Sequence, residues 1–202
     1  MPKIVDHARR REEIARLAVR VIQEEGSEHA TVRRIAMAGG FSIGVLNHYF
    51  RDKDELIAFT FEWIANQTFA DLDASVSGLD PGLARLRCAI DFMVPTPGAS
   101  SFMGVWLSLW GGAMHNPDLA KVHRDYYARW RRYVSRYVRE AIARGEIPAP
   151  HSARDAVDLL IAGVDGLWIG VAFERERYRG ARRRHLVNQL IHTVLHSRSV
   201  ER

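Results

Sequence analysis

Residues 31–56 read TVRRIAMAGGFSIGVLNHYFRDKDEL, and that stretch decides the fold. Thr31 is placed to N-cap a short helix, since a threonine hydroxyl accepts from the free N–H groups of a first turn; Val32, Ile35 and Ala36 follow at helical spacing. Gly39 and Gly40 supply backbone freedom for a turn. Ser42 then caps a second short helix carrying Ile43, Val45, Leu46, Asn47, His48 and Tyr49. Asp52 caps a third, which opens Lys53, Asp54, Glu55, Leu56. Two short helices split by a glycine turn and followed by a capped third form a helix-turn-helix layout, whose second helix enters the DNA major groove.

Upstream of this stretch, Ile14, Leu17, Ala18, Val21 and Ile22 make a 3.6-period stripe, so a helix is predicted from Arg9 to Glu25, with residues 1–8 as a short arm before it. Downstream, a fourth helix from Asp52 to Ser75 carries Leu56, Phe59, Trp63, Ile64 and Phe69 and is long enough to leave the head. Pro81 suits the first position of a fifth helix, which ends before Pro95. A sixth is predicted over Phe102–His115, and Asn116-Pro117 starts a seventh over 117–144. Ser152 caps an eighth that runs to Tyr178, and Gly180 separates it from a ninth over 181–196. No period-2 pattern interrupts the series. The fold class is therefore all-α, with a three-helix head and a larger helical body, about nine helices in all. Residues 1–51 are expected to be the DNA-binding domain and 52–202 a ligand-sensing and dimerisation domain.

The chain has 202 residues, 47% of them apolar and 26% charged, which suits a folded globular protein with a real core. A single cysteine, Cys88, forms no internal disulfide and reads as a packing residue in a reducing cytoplasm. The charged run at 9–13 interrupts any secretory signal, and the long uncharged stretch between Asp91 and Asp118 is broken by prolines, so no membrane role is expected. Net charge is +5, yet residues 1–50 carry eight basic against six acidic side chains, while 121–144 carry eight against two. The charge excess sits mostly outside the head; the motif, not the charge, argues for DNA.

ThrValArgArgIleAla, GlyPheSerIleGly, HisTyrPhe and LysAspGluLeu, all within 31–56, resemble the signature of the TetR family of transcriptional repressors. If Leu46 and Phe50 face the head core, Ile43, Gly44, Val45 and Asn47 face outward. Val45 and Ile43 then suit a thymine methyl, Asn47 an adenine edge, and Gly44 a close backbone approach. Thr31, Ser42, His48, Tyr49 and Lys53 suit phosphates, and the resemblance adds Arg33 as a base or phosphate contact. Ile43 and Asn47 depart from the residues usual in the family at those positions. A dimer is implied, because two recognition helices must meet two major grooves about 34–36 Å apart on a palindromic operator.

In the body, Phe102, Trp106, Leu109 and Trp110 share one helix face; Val122, Tyr126, Trp130, Tyr133 and Tyr137 stripe the next helix. Such stripes serve as core or as a ligand box, and both readings stay open. Phe92, Trp106, Trp110, Tyr126, Trp130 and Trp168 are the candidate ligand-binding residues, since aromatic faces attract quaternary ammonium groups, and Asp91 and Asp165 are the acids placed to join them. The MetProLys start, the SerXGlyXXXHisTyrPhe form of the second short helix, and LIAGVDGLW at 160–168 resemble the choline-responsive BetI branch of the family. That resemblance implies control of choline-to-betaine metabolism; an efflux or catabolic regulator with an apolar ligand is the other open reading. Helices eight and nine are the expected homodimer seam, with Gly163, Gly166 and Gly170 admitting a partner helix, Leu159, Leu160, Val164 and Leu167 supplying area on helix eight, and Leu186, Leu190 and Val194 beside Val187, Ile191 and Leu195 on helix nine; burial of the same stripes within one chain is the other open reading. No phosphate loop, nucleophile elbow or paired-cysteine site points to an enzyme. His185, His192 and His196 share a face without a flanking acid, so neither metal nor other cofactor is expected.

Overall fold

Helical periodicity along the chain becomes nine α-helices, with no strand, among the residues described by a computed structural model: 7–26, 29–96, 103–149 and 152–196. They are α1 (His7–Glu25), α2 (Val32–Gly39), α3 (Ile43–Tyr49), α4 (Lys53–Val76), α5 (Leu83–Met93), α6 (Met103–Ala113), α7 (Pro117–Ala143), α8 (Ala153–Phe173) and α9 (Gly180–His196). The predicted series holds, with shifted ends at several helices. Phe102, expected to open the sixth helix, lies outside the described residues.

The chain forms two compact units, Met1–Thr68 with Ser101–Tyr126, and Phe69–Ser100 with Tyr127–Arg202. The packing therefore groups α6 and the start of α7 with the head helices, a different cut from the division by role at 51/52. In the first unit α1 packs on α2, α3 and α6. Its core takes Ile14, Leu17, Ala18, Val21 and Ile22 from the α1 stripe, Ile35 and Ala36 from α2, Leu46 from α3, and Val105 and Leu109 from α6. Each large side chain so buried contributes about 1.5–3 kcal/mol.

In the second unit α8 packs on α9, and α5 packs on both. Helix α5 starts at Leu83, not at Pro81, because Gly82 at φ 94° turns the chain into it. Its first N–H groups find partners far along the chain: Gly82 N donates to a Glu140 carboxylate oxygen at 3.1 Å and Leu83 N to Glu146 at 2.7 Å. The buried Arg183 of α9 closes the other end of α5. Its guanidinium donates to the carbonyls of Asp91 at 2.6 Å and Val94 at 2.7 Å, and to the Asp91 carboxylate at 2.7 Å. Helix α8 ends at Phe173, five residues before the predicted Tyr178, and Glu174 N donates to Gly170 O at 2.8 Å. Tyr178 folds back over Gly170, whose missing side chain leaves room for its ring.

Candidate DNA interface and effector site

The head interface is set by three caps. Thr31 Oγ1 accepts from Arg34 N at 3.1 Å, Ser42 Oγ from Val45 N at 3.3 Å, and Asp52 Oδ1 from Glu55 N at 2.8 Å. At the turn only Gly40 uses glycine's freedom, at φ 66°, with Phe41 N donating to Ala36 O at 2.9 Å. Gly39 serves instead by its size, since a Cβ there would strike Leu17 and Phe41. Both glycines matter, for different reasons.

Leu46 and Phe50 face the core, 1% and 3% exposed. Ile43, Gly44, Val45, Asn47 and His48 are therefore turned to solvent, along with Thr31, Arg33 and Ser42, while Tyr49 and Lys53 are half-buried. Ile43 and Val45 are exposed large apolar side chains on the same short helix as Asn47. Arg34, the neighbour of Arg33, is held by a bidentate pair with Glu25 at 2.7 and 2.9 Å, so the two adjacent arginines differ in availability. Arg11 fixes the base of α4: it pairs with Glu55 at 3.0 Å and lies 4.5 Å from the rings of both Phe50 and Phe59.

The six candidate ligand aromatics fall in both compact units. Trp106, Trp110 and Tyr126 belong to the first, where the Trp106 and Tyr126 rings meet at 4.6 Å. Phe92, Trp130 and Trp168 belong to the second; Trp130 and Trp168 are buried and Phe92 is half-buried. Of the two candidate acids, Asp91 is already answered by Arg183. Asp165 differs. It accepts from the Tyr127 hydroxyl at 2.9 Å, and burial pushes its carboxyl up to about 6 against the opposing pull of Tyr127 and Arg131. Tyr127 is the partner that the sequence reading missed. Its position three residues before Trp130 puts it on the same face of α7, but a stripe of tyrosines does not say which hydroxyl finds a carboxylate.

The matches to known proteins divide along the same chain. Residues 14–58 match the model described as bacterial regulatory proteins, tetR family, and residues 82–196 match the C-terminal domain described as a BetI-type transcriptional repressor. The chain belongs to the TetR family, with a BetI-type C-terminal domain. The regulator BetI of Escherichia coli O157:H7 is 33% identical over 85% of this chain and 87% of its own. PksA, a regulator from Bacillus subtilis, is 30% identical over 96% and 94%. Among solved structures, a transcriptional regulator from Rhodococcus sp. Rha1 superposes with TM-score 0.79 at 29% identity, covering 92% and 95%. A regulator from Saccharomonospora viridis, solved in complex with choline, gives 0.80 at 24% identity, covering 94% and 97%. These relatives are transcriptional regulators, not enzymes, and this TetR family chain is a regulator with them.

The remaining candidate groups of this TetR family member have local partners. Half-buried Cys88 donates to Ser75 O at 3.6 Å, and burial first, then Asp91, pushes its thiol up, which suits packing over reactivity. The rings of His192 and His196 stack at 4.6 Å, and no group of three metal-ligating side chains occurs among the described residues. Helix α8 is long and apolar enough to cross a membrane, with a mean hydropathy of 1.8, and 44% of that window is buried against the rest of the chain.

Proposed function

We propose that this regulator is a cytoplasmic homodimeric repressor, reading a palindromic operator through α3 and releasing it when a quaternary ammonium compound of the choline class binds the second unit. The carrying observation is Asp165: a half-buried carboxylate that accepts from the Tyr127 hydroxyl and stands one helical turn from the buried Trp168. A permanent cation is the ligand that gains most from such a carboxylate and from aromatic faces, each worth about 0.5–2 kcal/mol. The BetI-type domain match and the choline complex of the Saccharomonospora viridis relative agree with that chemistry.

In this reading residues 1–51 bind DNA and 52–202 sense ligand and dimerise. Thr31, Arg33, Ser42, His48, Tyr49 and Lys53 hold phosphates, while Ile43, Gly44, Val45 and Asn47 approach base edges. The dimer forms through α8 and α9. Leu159, Ala162, Gly166, Ile169 and Phe173 recur at alternating three- and four-residue steps and are exposed, a single apolar face of α8 left for a second copy. Of the three glycines expected at the seam, Gly166 faces open space, whereas the Gly163 gap is filled by Leu190 of α9 and the Gly170 gap by Tyr178. Leu160 and Val164 of α8 and Val187, Ile191 and Leu195 of α9, expected at the seam, are buried within the single chain instead, because α8 and α9 pack on each other, and Leu190 is half-buried there. Effector coupling follows if the liganded body favours a head separation that does not fit one turn of DNA; α4 contributes residues to both units and is the lever.

The test is a thermal-shift series with choline, betaine aldehyde, betaine and neutral aromatic compounds, since a ligand that binds only the folded state raises the melting point. A shift with choline and none with neutral aromatics supports the reading. A shift confined to apolar compounds leaves the repressor and removes the betaine role.

A further inference from the structure

Helix α1 begins at His7, and its imidazole lies against the end of the recognition helix. The His7 ring centroid is 4.7 Å from that of Tyr49 and 6.2 Å from that of His48, and those two rings are 5.1 Å apart. Both histidines are exposed and the tyrosine is half-buried. The sequence places residues 1–8 in an arm outside the motif; the ring contacts make His7 continuous with the two side chains that the proposed interface assigns to phosphates.

We infer that His7 is a further DNA-backbone contact, which extends the phosphate-binding edge of His48 and Tyr49 onto the first turn of α1. This rests on the reading of α3 as the DNA-reading helix. The partner is the sugar–phosphate chain rather than a base, because His7 lies on another helix, beside the carboxyl end of α3 and away from Ile43, Gly44 and Val45 at its start. An exposed imidazole N–H can donate to a phosphate oxygen. Arg10 and Arg11, on the same helix, are already engaged: Arg10 pairs with Glu13 and lies over Phe41, and Arg11 pairs with Glu55 between two phenylalanines. The rings that His7 meets are those of His48 and Tyr49 at the end of α3.

The test compares full-length wild type with His7→Ala, His7→Gln and His7→Arg by fluorescence anisotropy. Two probes are used: a short random-sequence duplex at low salt, and a duplex selected from a random library by the wild-type protein. His7→Ala should weaken both complexes about fivefold, two exposed contacts per pair of heads contributing modestly each. It should also flatten the salt dependence by about one to two units of slope. His7→Arg should keep the affinity and the salt slope. If His7→Ala fails to fold, His7→Gln carries the same comparison. Wild-type affinity and salt slope in the Ala variant, or in the Gln variant where Ala does not fold, on a duplex that the wild type binds, overturn the inference. Failure of the wild type to select any duplex overturns the DNA reading beneath it.

Discussion

In the head, α3 and the start of α4 are held by contacts three or four residues apart: Ser42 to Val45, Phe50 N to Leu46 O, Asp52 to Glu55. In the body, the groups that matter meet across long loops of chain. Tyr127 reaches Asp165 across 38 positions, Glu146 caps α5 across 63, and Arg183 closes the same helix across 92. The first kind of contact follows local rules that a sequence displays directly. The second depends on which helices become neighbours, and periodicity names a face without naming what lies opposite. Head and body therefore differ in how far mutation of one side chain spreads.

The largest effect should come from the α8 face that neither unit covers. Replacing Leu159 and Phe173, 58% and 73% exposed, with glutamate adds charges at two exposed positions of that face. The double variant should stay helical but run as a monomer by light scattering, and its affinity for a selected palindromic duplex should fall about a hundredfold or more, as two linked heads become independent. Its binding to a random-sequence duplex should fall far less. A double variant that remains dimeric would shift the seam wholly to α9.

How the two regions read from sequence can be judged residue by residue. Leu46 and Phe50 face inward, Ile43 and Val45 outward, and all three caps form, because each depends on a turn or less of chain. The body's helices were equally legible; their ends were not. The early end of α8 follows from Tyr178 packing on Gly170, a tertiary contact, and the late start of α5 from a positive φ at Gly82 beside two distant glutamates. Asp91 and Asp165 looked alike as acids near aromatics, and only the fold shows that Arg183 takes the first. The charge pattern was the least informative signal, since the basic excess of 121–144 is partly spent on pairs such as Arg131 with Asp158.

The next effect separates the two units within the proposed effector site. Asp165→Asn and Trp168→Ala should each weaken choline binding by about tenfold or more, judged from one close charge pair or one cation–π face out of water. Trp106→Ala, in the first unit, should leave choline affinity near the wild-type value. The pH dependence has a defined sign. Asp165 must be ionised to attract a cation, so affinity should hold above its value of about 6 and fall about tenfold per pH unit below it. In the ligand-free protein the sign reverses: a carboxyl raised above its unfolded value of 3.8 destabilises the fold once ionised, and that penalty fades as the pH falls through 6 toward 3.8. Asp165→Asn should therefore melt higher than wild type near pH 8 without ligand, while needing about tenfold or more choline for the same shift. A variant that keeps full choline affinity would remove Asp165 from the site.

The smallest effect sets the same chemistry in both regions side by side. Ser42 and Ser152 each cap a helix through one hydroxyl, at 3.3 Å to Val45 N and 3.1 Å to Asp155 N. Alanine at either position should cost about 1 kcal/mol, a drop of about 2–4 °C in melting point for a chain of this size. Only Ser42→Ala should reach the DNA. Helix α3 has seven residues, too few to hold its shape without tertiary support, so a lost cap frays the turn that carries Ile43, Gly44 and Val45. Affinity for a selected duplex should fall about fivefold with Ser42→Ala and stay at the wild-type value with Ser152→Ala, by anisotropy on both variants. Asparagine caps as well as serine does, so Ser42→Asn divides the remaining question. Recovery of affinity assigns the hydroxyl to capping, and continued loss assigns it to a phosphate that the longer amide displaces.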